Sequence, residues 1–104
     1  MNTEKMTGKT IVITGSGSGM GAAMAKEFAS REAKVALLDL NEEGLKKTAK
    51  AIEDNGGQCV YYKTDVTDKK AVEAAADAVE GKIGPITSWV NSAGVFRMQP
   101  ILEC

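Results

Sequence analysis

Thr14-Gly15-Ser16-Gly17-Ser18-Gly19-Met20-Gly21 is the stretch on which the fold turns. Four glycines alternate with small or flexible residues. Before them runs Thr10-Ile11-Val12-Ile13, a β-branched, apolar run that reads as a buried strand. After them Met20, Met24 and Phe28 recur at fourfold spacing among alanines, the pattern of one helix face. The order is strand, glycine turn, helix. Glycine lacks a Cβ, so the chain can turn sharply and a ligand can approach the backbone. The first turn of a helix offers free N–H groups and partial positive charge. A phosphate or pyrophosphate suits both.

A ligand-free glycine turn is the plainer alternative, and the flanking strand and helix weigh against it. A P-loop requires Gly-Lys-Ser or Gly-Lys-Thr at its end. Here Gly21 is followed by Ala22-Ala23, which excludes it. The spacing is Thr-Gly-x-x-x-Gly-x-Gly and not strict G-x-G-x-x-G.

Outward from the turn, the chain alternates strand and helix. Strands are expected at about 10–14, 34–39, 59–64 and 86–90, with helices to about 31 and at 42–54 and 68–82. The second helix places Leu45, Thr48, Ala49 and Ile52 on one face, with Asn41 as its cap and Gly56-Gly57 as its stop. The third presents Val72, Ala75, Ala76, Val79 and Ile83; Thr67 and Asp68 can cap it, and Gly84-Pro85 ends it. Residues 95–104 read as loop, with Pro100 near the start of another helix. Such alternation buries its apolar faces best as an α/β fold, a doubly wound, Rossmann-like parallel sheet. Right-handed crossovers give strand order 3-2-1-4, with the switch point between strands one and four. Ligands of open parallel sheets bind at the carboxyl ends there.

The 104 residues suffice for one small domain. Apolar residues make up 43% and charged residues 26%, as in soluble globular proteins. A net charge of −1 without a basic block gives no sign of nucleic acid or an anionic membrane as partner. The start, Met1-Asn2-Thr3-Glu4-Lys5, lacks the apolar core of a signal peptide, and no apolar run approaches the ~20 residues of a membrane span. Cys59 and Cys104 have no metal-type spacing, so Cys59 reads as a small core residue and the default compartment is the reducing cytoplasm. With no histidine, a Ser-His-Asp triad and histidine metal sites are excluded within the chain.

Asp39 ends strand two, where an acid can accept hydrogen bonds from both ribose hydroxyls of an adenosine. It repels a 2′-phosphate, and neither Ser18 nor Leu40 nearby is basic enough to neutralise one; the reading is NAD rather than NADP. Asp65-Val66 ends strand three: the aspartate can reach an adenine amino group while Val66 packs on the ring, although Asp65 could equally serve the third helix as a cap. Asn91-Ser92-Ala93-Gly94 ends strand four, where small residues let the backbone pass close to a ribose and Asn91 can bridge strands through its amide.

Taken together, Thr14-Gly15-x-x-x-Gly19-x-Gly21, Asp39, Asp65-Val66 and Asn91-Ser92-Ala93-Gly94 resemble, in order and spacing, the N-terminal half of a short-chain dehydrogenase/reductase of the NAD-preferring type. The resemblance runs from about residue 7 to 104. The departures are Ser92, where the family usually has a second asparagine, and Thr87-Ser88, polar for the interior of strand four. It implies a cytosolic oxidoreductase, a dimer or tetramer, acting on alcohols, ketones, sugars, steroids or acyl carriers. It implies that the backbone of Ser16, Gly17, Ser18, Gly19 and Met20, with Gly15 and Gly21, holds the pyrophosphate. Asp39 with Leu40 would hold the adenosine ribose, Asp65 and Val66 the adenine, and Asn91, Ser92, Ala93 and Gly94 the nicotinamide-side ribose.

Family catalysis also depends on a Ser, a Tyr-x-x-x-Lys and an assisting Asn. The only tyrosines, Tyr61 and Tyr62, are followed four residues on by Asp65 and Val66, so no catalytic residue is assigned. The expectation is a fragment of a longer enzyme, or a chain that completes itself by association, since strand four would otherwise be an open apolar edge. A non-catalytic dinucleotide-binding or assembly module is the alternative. An S-adenosylmethionine site would share the glycine turn and the acid on strand two, but the Thr-Gly-x-x-x-Gly-x-Gly form and Asn91-Ser92-Ala93-Gly94 weigh against it.

Overall fold

The structure, a computed structural model, describes residues 5–17 and 19–91. Ser18, Ser92, Ala93, Gly94 and the expected loop over 95–104 lie outside the described residues. The elements are β1 (Thr10–Thr14), α1 (Gly19–Ser30), β2 (Lys34–Asp39), α2 (Glu42–Asp54), β3 (Gln58–Lys63), α3 (Lys69–Ile83) and β4 (Ser88–Asn91). Every pairing is parallel and the order is β3-β2-β1-β4, the topology expected from the alternation.

The runs Thr10-Ile11-Val12-Ile13-Thr14 and Val35-Ala36-Leu37-Leu38 are buried along their length. A parallel sheet covered on both faces demands this of its central strands. Successive side chains point to opposite faces. Ile11, Ile13, Val35 and Leu37 therefore face one way, into a core with Ala25 and Ala29 of α1 and Leu45, Ala49 and Ile52 of α2. Val12, Ala36 and Leu38 face the other way, onto Ala75 and Val79 of α3. Two helices on one side and one on the other make the fold doubly wound.

The buried face of α1 differs from the expected one. Met20 is exposed, Met24 and Phe28 are half-buried at the margin, and Gly21, Ala22, Ala25 and Ala29 make the contact. Small residues let the helix axis approach the sheet closely, so the large side chains are displaced to the sides. The α2 face is as expected, with Leu45, Thr48, Ala49 and Ile52 all buried and Asn41 capping through its Oδ1 on the Gly44 N–H, 3.1 Å. Asp68 alone caps α3, accepting from the Lys70 N–H at 3.0 Å; Thr67 turns back to Asp65.

β4 begins two residues later than the apolar run suggests. Ile86 N–H donates to Glu80 Oε2 at 3.1 Å, and Thr87 Oγ1 accepts from the Thr10 N–H at 2.9 Å, where a ladder carbonyl would stand. The polarity of Thr87 thus tailors the entry to the strand.

Candidate functional site at the carboxyl edge of the sheet

The turn between β1 and α1 is built by positive φ at two glycines, 69° at Gly15 and 62° at Gly19. A side chain would strain both positions. Gly15 N–H donates to Leu38 O at 2.7 Å, and Ser16 Oγ, fully buried, donates to Ile13 O at 2.9 Å. Gly17 N–H donates to Asp39 Oδ2 at 2.8 Å. A Cβ on Gly17 would meet that same oxygen at 2.8 Å and Asn41 O at 3.1 Å, so a side chain there would displace the Asp39 carboxylate. α1 begins at Gly19 with no acidic residue in its first turn. Its N-terminal N–H groups and positive dipole end therefore lack an anionic side chain of the helix itself.

Asp39 stands at the carboxyl end of β2, half-buried, with Oδ2 on Gly17 and Oδ1 accepting from the Asn41 N–H at 3.2 Å. Beside it Leu40 is 57% exposed, and Met20 across the turn is 64% exposed. The end of β3 is tied to the end of β2, since Thr64 N–H donates to Asp39 O at 2.8 Å. Beyond it Asp65 is exposed and Val66 half-buried. Asp65 Oδ1 accepts from Thr67 Oγ1 at 2.6 Å and from the Thr67 N–H at 3.0 Å. These bonds, the hydroxyl's first, hold its carboxyl below the ordinary carboxylate value. Asp65 is thus engaged in a turn before α3 and does not cap it. A groove of about 340 Å³ runs from Tyr62 and Asp65 along Ala71, Ala75 and Ala78 of α3. At the end of β4, Asn91 Oδ1 accepts from Thr14 Oγ1 at 2.8 Å, a side-chain link across neighbouring strands.

Parallel strands bring all these groups to one edge, because Thr14 pairs with Leu38 and Asn91, and Asp39 with Lys63. The turn lies between β2 and β4, at the point where the strand order reverses. Two residues of this edge were not singled out as site residues in the sequence. Thr48 Oγ1, buried on α2, donates to Ser16 O at 3.1 Å. Gly44 packs so closely on the turn that a Cβ there would meet Gly17 O at 2.1 Å. The signal was present: Gly44 shares the buried face of α2, and a helical glycine costs stability unless packing requires it.

A larger depression, about 490 Å³, lies near the opposite edge, lined by Thr7, Glu32, Asn55 and Gln58 among others. It holds none of the groups described above. Among the described residues there is no cluster of His, Cys, Asp or Glu placed to hold a metal ion, and no helix is long and apolar enough to cross a membrane.

A parallel sheet whose switch point carries a glycine turn, a helix N-terminus and an acid on the neighbouring strand defines a Rossmann-like nucleotide-binding architecture. The short chain dehydrogenase family model matches residues 9–104, and the chain belongs to that family, whose members bind nicotinamide dinucleotides. It is 41% identical over 99 residues to D-threitol dehydrogenase of Mycolicibacterium smegmatis, covering 95% of this chain and 38% of that protein. A short chain dehydrogenase/reductase of Burkholderia phymatum in complex with NAD superposes with TM-score 0.79 at 35% identity, over 83% of this chain and 31% of the other. L-sorbose reductase of Gluconobacter frateurii, complexed with NADPH and L-sorbose, gives 0.82 at 31%, over 89% and 36%. The chain thus spans about a third of the length of these relatives.

Proposed function

We propose that the carboxyl edge of this sheet is the binding site for NAD, and that the chain is the cofactor-binding part of an oxidoreductase acting on an alcohol or carbonyl substrate. The observation that carries the reading is the Asp39 carboxylate held against Gly17, beside the helix N-terminus. In this reading the backbone from Gly15 to Gly21 receives the pyrophosphate, its N–H groups other than those of Gly15 and Gly17 meeting the negative oxygens. Asp39 accepts the two hydroxyls of the adenosine ribose, while Leu40 and Val66 offer apolar surface to the adenine and Asp65 its carboxylate. Asn91 and the following Ser92, Ala93 and Gly94 border the nicotinamide-side ribose.

The fit rests on chemistry already in place. Gly17 leaves open the space a Cβ would fill beside Asp39. The preference for NAD over NADP follows from charge, since a 2′-phosphate next to Asp39 would place like charges together and Leu40, which follows it, carries no charge to offset them. Once bound, a nicotinamide dinucleotide supplies or accepts a hydride. The contribution of these residues is to hold and orient it.

Calorimetric titration of the chain with NADH, and with NADPH in parallel, tests the reading. Saturable binding with NADH favoured is expected; a folded chain that takes up neither would remove the site. The same proposal includes self-association. Among the described residues β4 ends the sheet, and Trp89 and Ile86 near it are only partly buried. Light scattering at high concentration should therefore give a mass above that of one chain, and a monomer would overturn that part.

A further inference from the structure

We propose that α2 is the element that sets the glycine turn in its cofactor-binding conformation, with Gly44 and Thr48 as positioning residues. This rests on the cofactor site proposed above. The argument begins with a single peptide unit. The Ser16 carbonyl and the Gly17 N–H belong to one rigid plane. Its oxygen accepts from Thr48 Oγ1 at 3.1 Å and its N–H donates to Asp39 Oδ2 at 2.8 Å. Held at both ends, the plane cannot rotate about its flanking bonds.

The Gly17 carbonyl is fixed by contact. Gly17 O lies against the Cα of Gly44, and a Cβ there would meet that oxygen at 2.1 Å, the Gly17 carbonyl carbon at 2.9 Å and Asn41 Nδ2 at 2.6 Å. Two of these three atoms are backbone, which cannot swing aside as a side-chain tip would. Gly44 is itself held, its N–H on the Asn41 cap. The first turns of α2 therefore form a seat whose shape is copied into the turn.

Two consequences follow for the cofactor. Preorganised donors bind an anion without first being ordered, so loosening the seat lowers affinity. The Asp39 carboxylate is also oriented by the Gly17 N–H, so a rotated Ser16–Gly17 peptide would misdirect the ribose acceptor. Neither Gly44 nor Thr48 needs to touch the dinucleotide for this to hold.

The test uses Thr48→Val, Thr48→Ser and Gly44→Ala in the full chain, with NADH titration and amide hydrogen exchange followed at Gly17 by NMR without cofactor. Thr48→Val leaves a buried acceptor unsatisfied and should weaken NADH binding about tenfold. It should also speed exchange of the Gly17 N–H. Thr48→Ser keeps the hydroxyl and should restore both. Gly44→Ala should displace the Gly17 amide resonance and weaken NADH at least as much; if it does not fold, the Thr48 pair decides alone. Folded Thr48→Val with unchanged Gly17 exchange and unchanged NADH affinity would overturn the inference. If the unsubstituted chain takes up no NADH, the cofactor-site reading falls and takes the cofactor role of the seat with it, while Gly17 exchange alone then decides whether α2 sets the turn.

Discussion

The Gly17 N–H donates to Asp39 Oδ2 at 2.8 Å, joining the glycine turn after β1 to the acid that ends β2. The two residues are 22 apart in sequence and come together because β1 and β2 are parallel neighbours in register. The bond makes Asp39 an anchor for the turn, and in the proposed site the same carboxylate is the acceptor toward a ribose.

Asp39→Ala should reveal both. NADH affinity should fall about tenfold or more, since a charged acceptor is lost. The preference over NADPH should narrow, because the like-charge penalty on a 2′-phosphate goes with the carboxylate. Titration with both cofactors measures this, and an unchanged NADH affinity would take Asp39 out of the site.

Gly19→Ala separates backbone strain from crowding. At φ 62° no heavy atom lies within 4 Å of the would-be Cβ, so the cost is conformational alone. About 1–2 kcal/mol of destabilisation is expected in urea unfolding. A neutral result would mean that the turn relaxes to negative φ without loss.

Leu45→Ala tests how far the α2 face underpins the fold. Leu45 is fully buried among Ile13, Leu37 and Ile52 in the larger core. Removing it should cost about 2–5 kcal/mol, a large share of what a small domain possesses. Retention of the wild-type urea midpoint would show that α2 packs more loosely than its burial indicates.

The strand–turn–helix order and the sheet topology could be read in the sequence because periodicity and parallel crossovers leave few alternatives. The positions of Asp39, Asp65 and Asn91 at one edge followed from that topology. What was not legible came from contacts across the fold. Met20 sits at the helical spacing of a core face, yet the sheet admits Gly21, Ala22, Ala25 and Ala29 of α1, and Met20 is left exposed. Thr87 looks like part of a strand, but its hydroxyl takes the place of a backbone acceptor for Thr10. Gly44 reads locally as a weak point in a helix. Its reason lies 27 residues back, in the carbonyl of Gly17.

The last prediction concerns Cys59, half-buried against the larger core, its Sγ 3.8 Å from Ala49 O. Burial, and secondarily the charge of Glu53, pushes its thiol from 9.0 up to about 11. The thiolate is the reactive form, so Cys59 should be alkylated far more slowly at pH 8 than an unfolded control, in a Cys104→Ser background that leaves one thiol. The sign of the stability effect is fixed by linkage. The folded chain keeps this proton at a pH where the unfolded chain has released it, so the contribution is fully present below pH 9.0 and is lost as pH rises toward about 11. Urea midpoints should therefore fall across that window, and the fall should be shallower in Cys59→Ala, which has no proton to lose. Equal slopes for the two proteins would show that the thiol is not desolvated, and rapid alkylation of the folded chain would show the same by an independent route.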